Sequence, residues 1–245
     1  MPIGLIVQAR MSSSRLPAKS TLTISGETLL QRVLNACLSV RGIDHLILAI
    51  PDTDDCNILE EIGRQNNLDI FRGSPDNVLK RYQMASNAYQ INTIIRVTAD
   101  DPCMCPRLIE SGIDRFHQTV SNYLISSWPP LNLADGLIFE IFSRELLDEV
   151  VHDYGEDAMT QEHVTYPLRH SLMRQVVQCF LPNTQISQFH LDSGVKLCVD
   201  THDDYRRICE SWAEYLDPYS KLPLADIPRI LSNIAMIKIA KPHDG

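Results

Sequence analysis

No run in this chain reaches the roughly 18 apolar residues that a membrane-crossing helix needs. Its start, MPIGLIVQAR, is apolar over too short a span for a secretory leader and has no basic stretch before it. The seven cysteines are odd in number and include no CxxC pair. Free thiols in a cytoplasmic protein are therefore expected rather than a disulfide framework. Cys103 and Cys105 form a lone CxC without two further ligands at a suitable spacing, so packing rather than metal binding accounts for them. Positive charge is also short, since 22 Lys and Arg face 31 Asp and Glu and leave a formal net charge of −9. A field of that sign repels nucleic acid and anionic membranes, and neither is expected as a partner. Three phosphate or nucleophile signatures are missing: GxGxxG after the first apolar run, GxxxxGK with Ser or Thr, and GxSxG. Dinucleotide oxidoreductases, P-loop NTPases and α/β-hydrolases thereby lose their main marks.

What remains is a chain of 245 residues, 44% hydrophobic and 22% charged, the make-up of a soluble globular protein with a sizeable core. A single domain over residues 1–245 is expected. Its local exception in charge is IVQARMSSSRLPAK, residues 6–19. There the apolar run from Ile3 to Val7 stops at Arg10, and a serine-rich segment with two arginines, one lysine and no acid follows. A short apolar run bounded by polar residues reads as a buried strand, and the loop leaving a parallel strand opens where α/β sheets bind ligands. Ser12, Ser13 and Ser14 offer hydroxyls and backbone N–H groups, while Arg10, Arg15 and Lys19 offer charge suited to phosphate oxygens. A triphosphate fits that chemistry; an ordinary solvated basic loop has the same composition.

Strand and helix signals alternate through the first half. Glu27 to Val40 carries Leu29, Leu30, Val33, Leu34, Cys37 and Leu38 at helical spacing, and HLILAIP (45–51) is a continuous apolar strand. A helix over about Asp54 to Gln65, the strand LDIF, a helix over about Pro75 to Tyr89 and the strand opening TIIRVTADDP follow. Such alternation predicts a parallel sheet covered by helices on both faces. Between the DDP turn and residue 120 no element is assigned. Residues 120–142 hold two apolar runs split by Pro129, Pro130 and Gly136, which predicts an antiparallel excursion, either a dimerisation arm or a lid over a pocket. Helices are expected over about Arg144 to His152 and Gln161 to Arg169, and a strand in MRQVVQCFLP. KLCVDTHDD reads as a strand running into a helix capped by Thr201, and Leu224 to Ile234 as a last helix.

Two acidic constellations stand at predicted strand ends. Asp100 and Asp101 follow a strand in RVTADDP, and their hard oxygens suit Mg²⁺, which takes one or two carboxylates and completes its shell with water and phosphates. Turn or helix capping explains the same pair. Asp200 in VDTHDD brings a carboxylate from another part of the chain, unless it only helps cap the next helix. FRGSPDNVLKRY (71–82) supplies Arg72 beside a Gly-Ser-Pro turn; Lys80 and Arg81 on its helix are expected to face solvent. Glu162 and His163 in QEHVT, with Glu140 on the preceding strand, are substrate-pocket candidates.

Taken in order, QARMSSSRLPAK, FRGSPDNVLKRY, RVTADDP, DGLIFEIF, QEHVT and VDTHDD resemble the cytidylyltransferase family of sugar-nucleotide-forming enzymes, most closely its spore coat polysaccharide biosynthesis protein F group. The likeness spans about residues 3 to 210. It implies a Rossmann-like, GT-A-like nucleotidyltransferase fold: a three-layer α/β sandwich with a mostly parallel central sheet and a small antiparallel excursion. The implied reaction is CTP plus an acceptor, an acidic sugar, giving a CMP-sugar and pyrophosphate, by a Mg²⁺-dependent enzyme that is often a homodimer. It places Gln8, Ala9, Arg10, Ser12, Ser13, Ser14, Arg15, Lys19, Arg72 and Asp76 at the nucleotide and Asp100 and Asp200 at the metal. Asp101, Glu140, Glu162 and His163 fall to the acceptor, with Arg10, Lys19 and Asp100 acting in catalysis.

Three positions depart from the family pattern. Ala18 and Ala99 stand where Gly is usual before the motif lysine and the metal aspartate, and Gly26-Glu27-Thr28 replaces GKP, with the loss of a positive charge. An alanine restricts the backbone where glycine would not. Two other readings compete. A glycosyltransferase using a nucleotide sugar would want a DxD at the metal-bearing strand end, but DxD occurs only as Asp52-Thr53-Asp54. A non-catalytic nucleotide-binding homologue would be supported by the altered glycines and Glu27.

Overall fold

The computed structural model describes residues 1–127, 134–170, 177–179 and 196–215. A seven-stranded sheet forms its centre. The strands in chain order are β1 (Ile3–Gln8), β4 (His45–Pro51), β5 (Asp69–Gly73), β6 (Thr93–Thr98), β7 (Tyr123–Ile125), β8 (Glu140–Ser143) and β9 (Val177–Cys179). They lie in the order β5-β4-β1-β6-β8-β7-β9. Strand β8 alone runs antiparallel to both its neighbours. Two short strands, β2 (Thr23–Ile24) and β3 (Glu27–Thr28), make a separate hairpin.

Helices cover both faces. They are α1 (Leu29–Leu38), α2 (Asn57–Gln65), α3 (Val78–Ala88), α4 (Pro106–His117), α5 (Arg144–Tyr154), α6 (Ala158–His163), α7 (Tyr166–His170) and α8 (His202–Tyr215). The alternation of strand side chains divides the core in two. Leu5, Val7, Leu48, Ile50, Ile95 and Val97 face α1, α2, α4 and α8. Ile6, Ile47, Ala49 and Ile94 face α3, α5 and α7. This is the expected α/β sandwich, with each buried strand apolar on both faces. Among the described residues no helix is long and apolar enough to cross a membrane.

Every strand and helix predicted in the first half is present, but an unpredicted hairpin, β2–β3, precedes α1 and takes Glu27 and Thr28 from the helix expected to start there. The start of α3 moves inward because the Asn77 side chain accepts from Lys80 N at 2.8 Å and caps there. The antiparallel excursion is built into the central sheet: β8 pairs with both β6 and β7, while residues 128–133 lie outside the described part. Three expectations need correction. Helix α4 fills the unassigned stretch, with Pro106 at its start and Leu108, Ile109, Gly112 and Ile113 on its buried side. The helix expected over Gln161–Arg169 breaks at Val164, whose φ of 48° and ψ of −63° turn the chain between α6 and α7. Segment 196–200 is no strand; Lys196 makes one bridge with Asp135, and Val199 N donates to Asp100 O at 2.8 Å. Of the strand expected in MRQVVQCFLP, Val177–Cys179 is described and the rest is not; the helix expected over 224–234 also lies outside the described residues.

Candidate active site

From β1 the chain proceeds to β4 and β5 on one side, then crosses to β6 on the other. The carboxyl ends of β1 and β6 therefore flank the point where strand order reverses, the place at which open α/β sheets bind ligands. Loop 9–19 leaves β1 there. It is closed by Ala18 N donating to Met11 O at 3.1 Å, by Ser20 Oγ donating to Arg10 O at 3.2 Å, and by Leu16, which is buried. Ala18 then takes φ 54° and ψ 25°, a left-handed turn that sends Lys19 back across the sheet edge.

Lys19 Nζ reaches Asp100 Oδ2 at 2.6 Å, Asp200 Oδ1 at 3.1 Å and Val199 O at 3.2 Å. One ammonium thus joins the basic loop, the turn after β6 and the segment before α8. Asp200 also takes Arg15 at 3.0 Å and Lys196 at 3.0 Å. Burial opposes charge at both groups, yet the contacts win: Lys19 titrates above an ordinary lysine and Asp200 below an ordinary carboxylate. Asp200 is held in place by a reciprocal cap on α8. Asp204 N donates to Thr201 Oγ1 at 3.2 Å, while Asp204 Oδ2 accepts from the backbone N–H groups of Thr201 and Asp200.

Two clefts meet over these carboxylates. The first, of about 340 Å³, is lined by Gln8, Ala9, Arg10, Ser13, Ser14, Arg15 and Lys19, and farther along by Val78, Arg81, Glu162 and His163. Arg10 is paired with Glu162 at 2.7 Å, and burial pushes the His163 imidazole below its usual range. The second cleft, of about 240 Å³, holds Asp101, Asp135, Glu140, Arg169 and Cys198. Arg96, Thr98, Asp100 and Asp200 line both.

Sequence-predicted residues separate accordingly. Asp101 is buried in the second cleft, where Thr98 Oγ1 donates to it at 2.6 Å; burial, then the charge of Asp100, raises its carboxyl well above the usual range. Glu140 accepts from Arg96 at 2.7 Å, from Thr165 Oγ1 at 2.8 Å and from Tyr123 Oη, so its oxygens brace the sheet under that cleft. Ser12, Arg72 and Asp76 do not line the first cleft. Arg72 is held by Asp52 at 3.0 Å, Glu60 at 2.6 Å and Thr53 O at 2.8 Å. Arg81, expected at the surface, is buried inside instead. Its signal was its spacing, three residues after Val78 and four before Ala85, on the apolar stripe of α3. Arg96 opens the RVTADDP motif, and Arg169 and Lys196 lie outside the six motifs; none of the three is a sequence-level site candidate.

Among the described residues no three His, Cys, Asp or Glu side chains gather as a metal cage. Asp100 and Asp200 nevertheless share one lysine ammonium, which places their oxygens close enough to share a cation. Two hard carboxylates that leave most positions to substrate oxygens match how Mg²⁺ is held.

The cytidylyltransferase family profile matches residues 5–225 of the chain. The chain belongs to the cytidylyltransferase family. It is 30% identical over 210 residues to the spore coat polysaccharide biosynthesis protein SpsF of Bacillus subtilis, covering 84% of each chain. It is 32% identical over 173 residues to the 3-deoxy-manno-octulosonate cytidylyltransferase of Psychromonas ingrahamii, covering 68% of this chain and 64% of the relative. Its fold follows that of a cytidylyltransferase from Leptospira borgpetersenii with a TM-score of 0.86 at 23% identity, each chain being covered in full.

Within this cytidylyltransferase the three departures have separate consequences. Ala18 adopts the left-handed geometry that glycine takes more easily, so the loop keeps its shape under strain. Ala99 is not among the residues with positive φ, and its N–H donates to Gln8 O at 3.1 Å. Glu27 faces Arg32 at 2.7 Å and lines neither cleft, so its charge stays outside both.

Proposed function

We propose that the protein transfers CMP from CTP to a hydroxyl of an acidic sugar, releasing pyrophosphate, in polysaccharide or glycoconjugate synthesis. The observation that carries this reading is the Lys19 bridge between Asp100 and Asp200 at the junction of two clefts. CTP takes the first cleft, with its phosphates against Ser13, Ser14, Arg15 and Lys19, and the acceptor takes the second. The α-phosphorus then lies above the carboxylates that line both. The acidic-sugar acceptor rests on the name of the Psychromonas relative and on Arg169, which lines the second cleft.

Asp100 and Asp200 would hold Mg²⁺, which when bound neutralises charge on the phosphate oxygens. Lys19, now shared between the carboxylates, is placed to pass its ammonium to the entering triphosphate. Arg10, Arg15 and Lys19 stabilise the charge that builds on departing pyrophosphate. The remainder is positioning: the two clefts hold acceptor and α-phosphorus in line. Residence in the cytoplasm and a homodimer belong to the same reading. The dimer is carried by the resemblance to CMP-sugar synthetases alone, and the mass in solution tests it.

The deciding experiment is pyrophosphate release from CTP and Mg²⁺ across a panel of acidic sugars. Release with one acceptor is expected, as is loss of at least about 100-fold in Asp100→Asn with an unchanged circular dichroism spectrum. Unaltered turnover in that variant overturns the assignment.

A further inference from the structure

Arg81 is only 2% exposed, yet its Nε and Nη1 have no hydrogen-bond partner. An unpaired buried guanidinium is kept against a large desolvation cost, and burial pushes its pKa down. The side chain is given room by Gly73 at the end of β5, where an added Cβ would lie 3.2 Å from Arg81 Cγ. A second unmet group lines the same cleft: Gln8 Oε1 at the end of β1 is buried without a donor.

The sheet order sets Arg81 apart from Lys19 and the Asp100–Asp200 pair, with Gln8 between them. Arg81 comes off α3 beside β5, Gln8 ends the β1 strand, and Asp100 follows β6, on the far side of β1 from β5. Arg15 and Lys19 are gathered at the Asp100 and Asp200 end, while the Arg10–Glu162 pair also lines the cleft. A phosphate offers acceptors only, so it would satisfy Arg81 and leave Gln8 Oε1 unmet. Arg96 Nε is unmet as well, but that guanidinium is engaged through Nη1 with Glu140 at 2.7 Å. The two unmet donors of Arg81 and the one unmet acceptor of Gln8 match a different group. The hydrogen-bonding edge of cytosine presents O2 and N3 as acceptors and its exocyclic amino group as donor. Uracil reverses the last two, turning N–H toward Arg81 and a carbonyl toward Gln8 Oε1. Adenine offers one acceptor beside its amino group and leaves half of the guanidinium unmet.

We infer that Arg81 and Gln8 read the nucleobase, with Arg81 donating to O2 and N3 of cytosine and Gln8 Oε1 accepting from its amino group. The inference rests on the proposed use of CTP and deepens it by assigning base selection to two side chains. Both are binding and specificity residues, since neither reaches the reacting phosphorus.

The test uses the full chain and three probes with Mg²⁺: CTP, UTP and inorganic triphosphate. Arg81→Met should weaken CTP about 10- to 100-fold, the range expected for hydrogen bonds from a charged donor. It should leave inorganic triphosphate affinity within about twofold and keep or raise the melting temperature, because an unpaired buried charge has gone. Gln8→Leu should shrink the preference for CTP over UTP. Equal losses for CTP and inorganic triphosphate in Arg81→Met would make Arg81 a phosphate ligand and overturn the inference. So would unchanged CTP affinity in a folded variant. Should Arg81→Met not fold, Gln8→Leu decides alone, an unchanged CTP preference overturning the inference. Wild-type protein that binds no nucleoside triphosphate sinks the proposed function instead, and base reading with it.

Discussion

Single residues set the tolerances of this site. Ala18 holds a left-handed turn that costs a non-glycine residue about 1 kcal/mol or more. Ala18→Gly should therefore raise stability by about 1 kcal/mol, or about 2–4 °C in melting temperature for a chain of this size. Denaturant titration checks it, and a fall in stability would show that the alanine methyl packs usefully. Glu140 presents the opposite case. It is buried and is the common acceptor for Arg96 on β6, Tyr123 on β7 and Thr165 between α6 and α7. Glu140→Ala leaves Arg96 without its carboxylate and should cost about 3–5 kcal/mol, measured by the same titration. A loss under about 1 kcal/mol would mean that water replaces the carboxylate freely.

Elements carry the next level. Asp200 is useful only because α8 begins where it does, and α8 begins there because Thr201 and Asp204 cap each other. Lys196 adds a 2.7 Å contact to Asp204 and Arg207 one at 3.0 Å. Asp204→Ala should cost about 1–2 kcal/mol of stability from the cap. It should also cost activity, since Asp200 loses the carboxylate that accepts from its backbone N–H. Activity retained in full would separate the cap from the site. The pH dependence follows from the same contacts. Burial would raise the Asp204 carboxyl, but hydrogen bonds from Lys196 and Thr201 lead the contacts that hold it below the ordinary range. A depressed carboxylate contributes stability above its unfolded pKa, near 4, and that contribution is lost as pH falls below it. Wild-type stability should thus decline below about pH 4, with a shallower slope in Asp204→Ala.

At the scale of the molecule, a net charge of −9 encloses a cleft rich in Arg and Lys. Low-dielectric walls keep that local field usable, while salt screens it from outside. CTP with Mg²⁺ at about 100 times its dissociation constant should stabilise the fold by about 2.7 kcal/mol. Raising the salt from about 0.05 M to 0.5 M should shrink the shift in melting temperature, since the Debye length falls below about 5 Å. Protection by CTP that is indifferent to salt would argue against the basic loop as the phosphate site.

The alternation of apolar runs and amphipathic stretches determined the helix-covered sheet by itself, because burial on both faces leaves a strand no other pattern. It also determined the first loop and Asp100, which stand directly after their strands. Helix α4 was legible too, in Pro106 and the spacing from Leu108 to Ile113, but needed its packing partners to be assigned. The spacing of Arg81 pointed to burial, but which arginine of FRGSPDNVLKRY enters the cleft was decided in three dimensions. Arg72 meets acids from the strand edge and α2, whereas Arg81 is drawn under the sheet by the apolar stripe of α3. The meeting of Lys19 with Asp200 is likewise tertiary. It spans 181 residues, and no local propensity records a contact that backbone pairing between Val199 and Asp100 brings about.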